Sequence, residues 1–525
     1  MRVLTKINVY SNYFTIHTHN YEMIEFFRSY ARRFNQWKLV PNRQTKRFQR
    51  EIYKTFYLWD KRKNIFRFHR GCFTNLIKLM TDLGKMDDVI IEHTQNYFPE
   101  PVELKMKDNW TPRDYQEPAI DFIIKPLDND SVPFEDRQMN FRLMALKTGR
   151  GKTSISAFAL EKIGQRVVAV LKPMYIDKWI KDVQGFYHLD KEDLMSVSGG
   201  DQLRGLISLA KEGNLKAKII LISNATMRNW LNEYEQNTLT TKEIYGITPD
   251  EFFPLIKAGV RLIDEVHQDF HFNFMLDLYT HVPLTLSLSA TLDTRDDFLK
   301  TMYNIAYPSF TCYKEKGVPK HIDAVAVIYS INSQIKMRTT EFGSNNYSHN
   351  AFEKSILKNR LFYPYMNMIK SVINYGYING YKKGDKCAVF ASSIDMCTRM
   401  TTYLKNEFPH LDVRRYVQDD PYENVTDADI RVTTILSGGT AVDIPGLTCS
   451  ILTIAIDSLQ SNLQTFGRLR PIKDRQTRFF YLSCSNINKH NQYHERRKLL
   501  LKDEAKSYRE YVYQKTLFNY QSSSG

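Results

Sequence analysis

Two short stretches, 112 residues apart between Lys152 and Asp264, carry side chains suited to gripping phosphate and activating water. The first is Lys147-Thr148-Gly149-Arg150-Gly151-Lys152-Thr153, followed by Ser154. Glycines let a backbone curl until its N–H groups face phosphate oxygens. In that reading Thr148, Gly149, Arg150, Gly151 and Ser154 form the cradle, while Lys152 reaches the β- and γ-phosphates. The Thr153 hydroxyl then ligates Mg²⁺. The generic GxxxxGK[ST] pattern has lost its first glycine to Leu146. A chance Gly-rich turn is the plainer alternative, but an apolar run, FRLMAL, precedes the loop and a helical stretch, TSISAFALEKI, follows it. The second stretch is Leu262-Ile263-Asp264-Glu265-Val266-His267. Here Asp264 can hold the metal, directly or through water, and Glu265 can orient and deprotonate an attacking water. Adjacent carboxylates after a strand are more often a surface turn. Paired with the first stretch across intervening strand–helix units, they fit the carboxyl edge of an open α/β sheet, where nucleotides bind.

The elements that must position these groups show as alternating apolar strands and helical stretches. From about 110 the β-rich runs are 141–146, 166–171, 217–223, 259–263 and 284–289. A second series covers 324–330, 386–392, 429–436, 449–455 and 477–483, with a polar linker at 332–350. Two such series predict parallel sheets covered by helices, in two related lobes at 106–325 and 326–525, the second ending in a helix over 486–515. At 525 residues the chain is too long for one compact core, and about three domains are expected. No run of about 18 apolar residues is present, and MRVLTKINVY lacks a secretory pattern, so neither a membrane span nor export is expected. Six cysteines without CxxC spacing disfavour a zinc site or disulfide framework and fit a reducing cytoplasm.

The net charge of +15 is concentrated near the start. Between Arg28 and Arg70 stand fourteen Lys or Arg against two acids, Glu51 and Asp60, interleaved with ten aromatics that include Phe34, Trp37, Tyr53, Phe56, Tyr57, Trp59, Phe66 and Phe68. Cations that neutralise phosphates beside rings that stack on bases suit a nucleic-acid surface, with Arg43, Lys46, Arg47, Arg50, Lys61 and Arg62 as candidates. A solvated basic face over an aromatic core is the alternative. The pattern predicts a small α+β domain over 1–105: a strand at 7–18, a helix at 21–34, strands near 52–58 and 64–69, and a helix at 72–84.

Taken in order, the motifs resemble those of the superfamily 2 helicases and translocases over roughly 110–485. The resemblance implies two tandem RecA-like lobes and the use of ATP with Mg²⁺. It implies that Gln116, in Arg113-Asp114-Tyr115-Gln116, binds the adenine edge. The phosphate loop and the Asp264–His267 box then correspond to the two nucleotide motifs, so Lys152, Asp264, Glu265 and His267 become catalytic residues. Lys172-Pro173 and the turn from Ser223 to Thr226 resemble strand-binding loops, and Ser289-Ala290-Thr291 resembles the motif that couples hydrolysis to movement. In the second lobe Ser392 belongs to a similar loop, and 437–443 resembles the motif in which Gly439 and Thr440 contact nucleic acid and Asp443 the nucleotide; Ala441 replaces a common glycine. Gln464 to Arg470 resembles the motif that supplies arginine fingers, Gln464 acting in coupling. Arg468 fits the finger position; Arg470 stands one residue early and is followed by Pro471.

The N-terminal texture, including Tyr57-Leu58-Trp59-Asp60-Lys61-Arg62 and Gly71-Cys72-Phe73, is similar to that of the phage UvsW-type branch-migration helicases. The resemblance implies a cytoplasmic, ATP-dependent DNA helicase or translocase acting on forked or Holliday-like DNA in phage replication, recombination and repair, as a monomer or weak oligomer. An RNA helicase, or a restriction-system motor without its nuclease motif, is the alternative among enzymes. A DNA-binding module with an inactive ATPase is the alternative outside them.

Overall fold

A computed structural model of the chain describes residues 4–41, 48–127, 139–146, 150–290, 292, 294, 296–315, 320–343, 346–417, 420–421, 423–435 and 444–518, with the side chains of 425, 459, 460 and 464 left aside. The chain divides into two compact units, Met1–Glu315 and Lys316–Gly525.

Each unit contains a seven-stranded, all-parallel sheet. The first runs, in spatial order, Leu194–Val197, Ile219–Ser223, Val167–Leu171, Val260–Ile263, Leu284–Ser289, Phe141–Ala145 and Cys312–Lys314. The second runs Val413–Tyr416, Ile430–Thr434, Lys386–Ala391, Leu447–Leu452, Thr477–Cys484, Ile322–Tyr329 and Ser507–Val512. Numbered in chain order within each unit, both sheets have the order 3-4-2-5-6-1-7. The two lobes therefore share one topology, and both are RecA-like. Inner strands such as VVAVL and IILIS are buried along their whole length, because helices cover both sheet faces. The edge strands are short or half-exposed and lack the continuous apolar run that marks the others.

Several elements differ from the sequence reading, two of them in kind. The stretch 7–18 is not one strand but a hairpin, Thr5–Val9 against Tyr13–His17, turned by Tyr10 to Asn12. The helix read over 486–515 ends at Glu504, and Ser507–Val512 joins the sheet edge beside Ile322–Tyr329. Strong local hydrophobic signals for helix and strand cannot be separated when a six-residue edge strand follows a helix at once.

The N-terminal part of the first unit is a five-stranded mixed sheet in the order Leu58–Asp60, Ile65–His69, Tyr13–His17, Thr5–Val9 and Val89–His93, with helices Tyr21–Ala31 and Phe73–Asp82. Its core runs without interruption into that of the first lobe. Gly71 marks the closest approach: a Cβ there would lie 1.8 Å from the Ile305 carbonyl oxygen, so only glycine fits. The aromatics divide between the two expected roles. Phe34, Phe56, Phe66 and Phe68 are core residues, whereas Trp37, Phe48 and Tyr53 face solvent.

Candidate functional site

In the first sheet, the strand leading to the phosphate loop and the strand leading to Asp264 are separated by one strand, Leu284–Ser289. All three run the same way, so the residues that follow them collect at one edge. A line of close polar contacts crosses that edge. The Glu265 carboxylate lies 3.3 Å from His267 Nδ1, and the same nitrogen is 2.9 Å from Ser289 Oγ. The Leu146 amide donates to the Ser289 carbonyl at 3.1 Å, and Lys152 Nζ donates to the Leu146 carbonyl at 3.2 Å. Leu146, which replaces the first glycine of the generic loop, thus serves through its backbone while its side chain packs in the core.

Electrostatics set the protonation states. Burial, then the charge of Lys152, lowers His267 to about 3. At neutral pH the ring is therefore neutral, and its 3.3 Å contact with Glu265 is not an ion pair. Asp264 is pushed up by burial and by the neighbouring Glu265, and held down by Lys178, by an N–H from Trp179 and by Lys152. That Trp179 Nε1 donates to Asp264 Oδ2 at 2.9 Å. Glu265 adopts φ +47°, a left-handed conformation that strains any residue with a Cβ. Glu265 Oε2 is buried without a hydrogen-bond donor.

The helix Lys152–Ile163 starts from Gly151 at φ +76°. A Cβ there would meet Gln116 Nε2 at 2.5 Å and Ser154 Oγ at 2.6 Å, so the turn requires glycine. Gln116 is buried against this turn: its amide N–H groups reach the Arg150 carbonyl at 3.4 Å and Ser154 Oγ at 3.2 Å, and its oxygen accepts the Arg113 N–H at 3.0 Å. The structure therefore places Gln116 on the loop itself. Arg150 stacks on Tyr115, 3.8 Å from the ring centroid, and is ion-paired with Glu315, whose hydrogen bond raises its pKa. Thr153 and Ser154 open the helix, with Ser154 Oγ donating to the Gly151 carbonyl at 2.9 Å.

These groups fit a Mg²⁺–nucleotide: a buried carboxylate at Asp264, a hydroxyl at Thr153, an ammonium at Lys152 and a turn that only glycine can make. Among the described residues no cluster of three or more His, Cys, Asp or Glu side chains could hold a metal by itself, so phosphate and water would have to complete the shell.

Other candidates are placed as follows. Lys172 and Pro173 begin the helix Pro173–Phe186. The residues after Ser223 form a helix, Asn224–Gln236, rather than a turn, and Thr226 Oγ1 accepts the Gly199 N–H at 2.7 Å. Arg50, Lys61 and Arg62 are exposed. In the second unit, the buried Glu353 accepts from the Ser392 and Ser393 amides at 2.7 and 2.9 Å, and Ser392 Oγ donates to Asn350 Oδ1. Arg468 is buried, and Arg470 donates to the Gly467 carbonyl at 3.0 Å. Arg43, Lys46, Arg47, Thr148, Gly149, Thr291, Gly439, Thr440 and Asp443, and the side chain of Gln464, lie outside the described residues. Sequence reasoning missed Trp179, Glu315 and Glu353, which act on motif residues from 85, 165 and 39 positions away. No local spacing marks such partners.

Residues 109–294 match the family described as Type III restriction enzyme, res subunit. No curated protein matches the chain. Among solved structures it is similar to the Pyrococcus furiosus Hef helicase domain at 14% identity and a TM-score of 0.45, covering 74% of this chain and 98% of that one. T4 UvsW aligns at 13% identity and a TM-score of 0.35, over 97% and 99% of the two chains. S. cerevisiae Dbp5 bound to RNA and ADP BeF3 aligns at 11% and 0.46, over 77% and 90%. None of these overlaps reaches a TM-score of 0.5.

Proposed function

We propose that the chain is a superfamily 2, ATP-dependent DNA helicase or translocase that remodels branched DNA in phage replication, recombination and repair, a reading supported by the family match on residues 109–294. The observation that carries this reading is the line of close polar contacts from Glu265 through His267 and Ser289 to Leu146 and Lys152. It ties a water-activating carboxylate to a phosphate-binding lysine through the strand that the coupling motif ends.

In this proposal Lys152 and the loop amides bind the β- and γ-phosphates of ATP, and Thr153 and Asp264 hold Mg²⁺. The metal supplies charge neutralisation at the phosphates. Glu265 accepts the proton of the attacking water, while the neutral His267 fixes the Glu265 side chain and reports its state to Ser289. Gln116 and Ser154 brace the loop. Arg468, with Arg470 beside it, keeps its proposed part in stabilising the leaving phosphoryl group. The exposed cations Arg50, Lys61 and Arg62, with Arg43, Lys46 and Arg47, contact phosphates of the nucleic acid.

The test is ATPase rate against single strand, blunt duplex, fork, four-way junction and RNA of matched length. Greatest stimulation by fork or junction is expected. Preference for RNA would move the assignment to an RNA helicase, and absence of turnover with every substrate would leave a binding module.

A further inference from the structure

The strands Asn35–Pro41 and Phe48–Thr55 form a separate two-stranded ribbon outside the five-stranded sheet. Both of its faces meet solvent. The register pairs Trp37 with Ile52, Leu39 with Arg50 and Pro41 with Phe48, which puts these six side chains on one face. Trp37 is 50%, Leu39 66%, Phe48 71% and Ile52 48% exposed. Tyr53, next to Ile52 in the strand, faces the other side, where Lys38 and Lys54 lie 5.3 and 5.2 Å from its ring centroid. An apolar face with cations on both sides of the ribbon is matched by a polyanion that offers unpaired bases.

An isolated ribbon is marginal in water, but this one is tied at its base to the segments that follow the two site strands. Phe56 is buried among Phe270, His271, Phe274 and Phe298, and His271 Nε2 donates to the Thr55 carbonyl at 2.8 Å. His271 lies on the helix Phe270–Asp277, just past the Asp264–His267 box. On the other strand, Gln36 Nε2 donates at 3.0 Å to Asp296, which caps the helix Asp297–Ala306 beyond Ser289.

We propose that this ribbon binds single-stranded nucleic acid, with Trp37 and Phe48 stacking on bases and Arg50 and Lys38 on phosphates, and that its two anchors pass the occupied state to the ATP site. A duplex, whose bases are already stacked, offers the apolar face nothing. The inference rests on the nucleic-acid-dependent motor proposed above and names the substrate form that this part of it takes.

The experiment compares wild type, Trp37→Ala/Phe48→Ala and Arg50→Gln in the full chain, using fluorescein-labelled oligo-dT and a blunt duplex of the same length. Both rings are half or more exposed, so melting temperatures should agree to within about 2 °C. Loss of the rings should weaken oligo-dT binding about tenfold per ring, leaving the salt dependence and the duplex affinity unchanged. The oligo-dT concentration for half-maximal ATPase stimulation should rise by the same factor. Arg50→Gln should instead weaken both ligands and flatten the salt slope by about one. Equal loss on oligo-dT and duplex, or no loss on either, overturns the proposal; the second result would make the apolar face a protein-docking surface. If wild type neither binds oligo-dT nor is stimulated by any nucleic acid, the motor reading fails first.

Discussion

Trp179 offers the sharpest test of the site, because one atom of one side chain reaches Asp264. Trp179→Phe keeps most of a ring in a buried position and removes only the N–H that lies 2.9 Å from Asp264 Oδ2. A hydrogen bond to a charged group contributes about 1.5–3 kcal/mol, which corresponds to roughly 10- to 100-fold in affinity or rate. The carboxyl is already pushed up by burial and by Glu265, and the indole N–H is among the groups that hold it down. Without that donor its pKa rises further. The carboxylate is the form that holds Mg²⁺, so the acid limb of kcat/KM against pH should move upward by about one unit or more, at about 1.4 kcal/mol per unit. The assay is Mg²⁺-dependent ATPase from pH 5 to 8, with a Mg²⁺ titration at each pH. Damage to packing alone would lower the rate equally at every pH. An acid limb at its wild-type place, with kcat/KM within about threefold at pH 7, would refute a positioning role for Trp179.

Lys152→Ala and Glu265→Gln should both abolish turnover, but only the first should weaken ATP binding; wild-type turnover in Glu265→Gln would remove Glu265 as the base. Asn12→Ala breaks bonds to Asp277 Oδ1 at 3.0 Å and Thr285 Oγ1 at 2.9 Å. Asp277 Oδ1 keeps its bond from Arg261, but the buried Thr285 hydroxyl loses its donor at about 1–3 kcal/mol, so calorimetry should show the melting temperature lowered by about 5 °C; a change under about 1 °C would show that water replaces the amide. Burial raises Glu353 from 4.5 to about 7. The stability tied to its proton is whole below about pH 4 and lost as pH rises through about 7, a change of roughly 3 kcal/mol. Melting temperature should therefore fall over that range, and Glu353→Gln should flatten the fall; an unaltered slope would falsify the assignment.

The inner strands and the two candidate stretches around Lys152 and Asp264 stood out because each is a local pattern. A fully buried parallel strand must be a continuous apolar run, and a phosphate turn needs Gly151 directly before Lys152 and Thr153. The edge strands were not legible, since a strand with one neighbour and one open side needs few apolar residues. Gln116 was legible as a candidate residue, but its contacts with Arg150 and Ser154 were not, because only the fold brings these residues together. Trp179, Glu315 and Glu353 were hidden for the same reason: their chemistry lies in partners far away in sequence. The basic N-terminal stretch was ambiguous because its aromatics do both jobs. Phe56 and Trp37 are nineteen residues apart, one in the core and one in solvent, and composition weighs them alike.

The same stretch changes how the N-terminal part relates to the motor. A charged module ahead of the first motor motif reads as an appendage that can be removed without harm to the ATP site. The contacts say otherwise. Asn12 reaches across to Asp277 and Thr285, His69 Nε2 lies 3.4 Å from Asp277, and Ser11 Oγ accepts the Val282 N–H at 2.8 Å. Burial pushes the Asp277 carboxyl up, yet Arg261, His69 and Asn12 together outweigh it, and its pKa is lowered overall. Arg261 sits in the strand that leads into Asp264, so the ion pair that neutralises Asp277 is built into the strand of the candidate site. Cutting the N-terminal part away would expose one side of that pair and the Phe270 and Phe274 rings to water. A loss of ATPase on truncation would then report a damaged lobe, not a lost grip on nucleic acid. Side-chain replacements on the exposed ribbon separate the two, because they leave every buried partner in place.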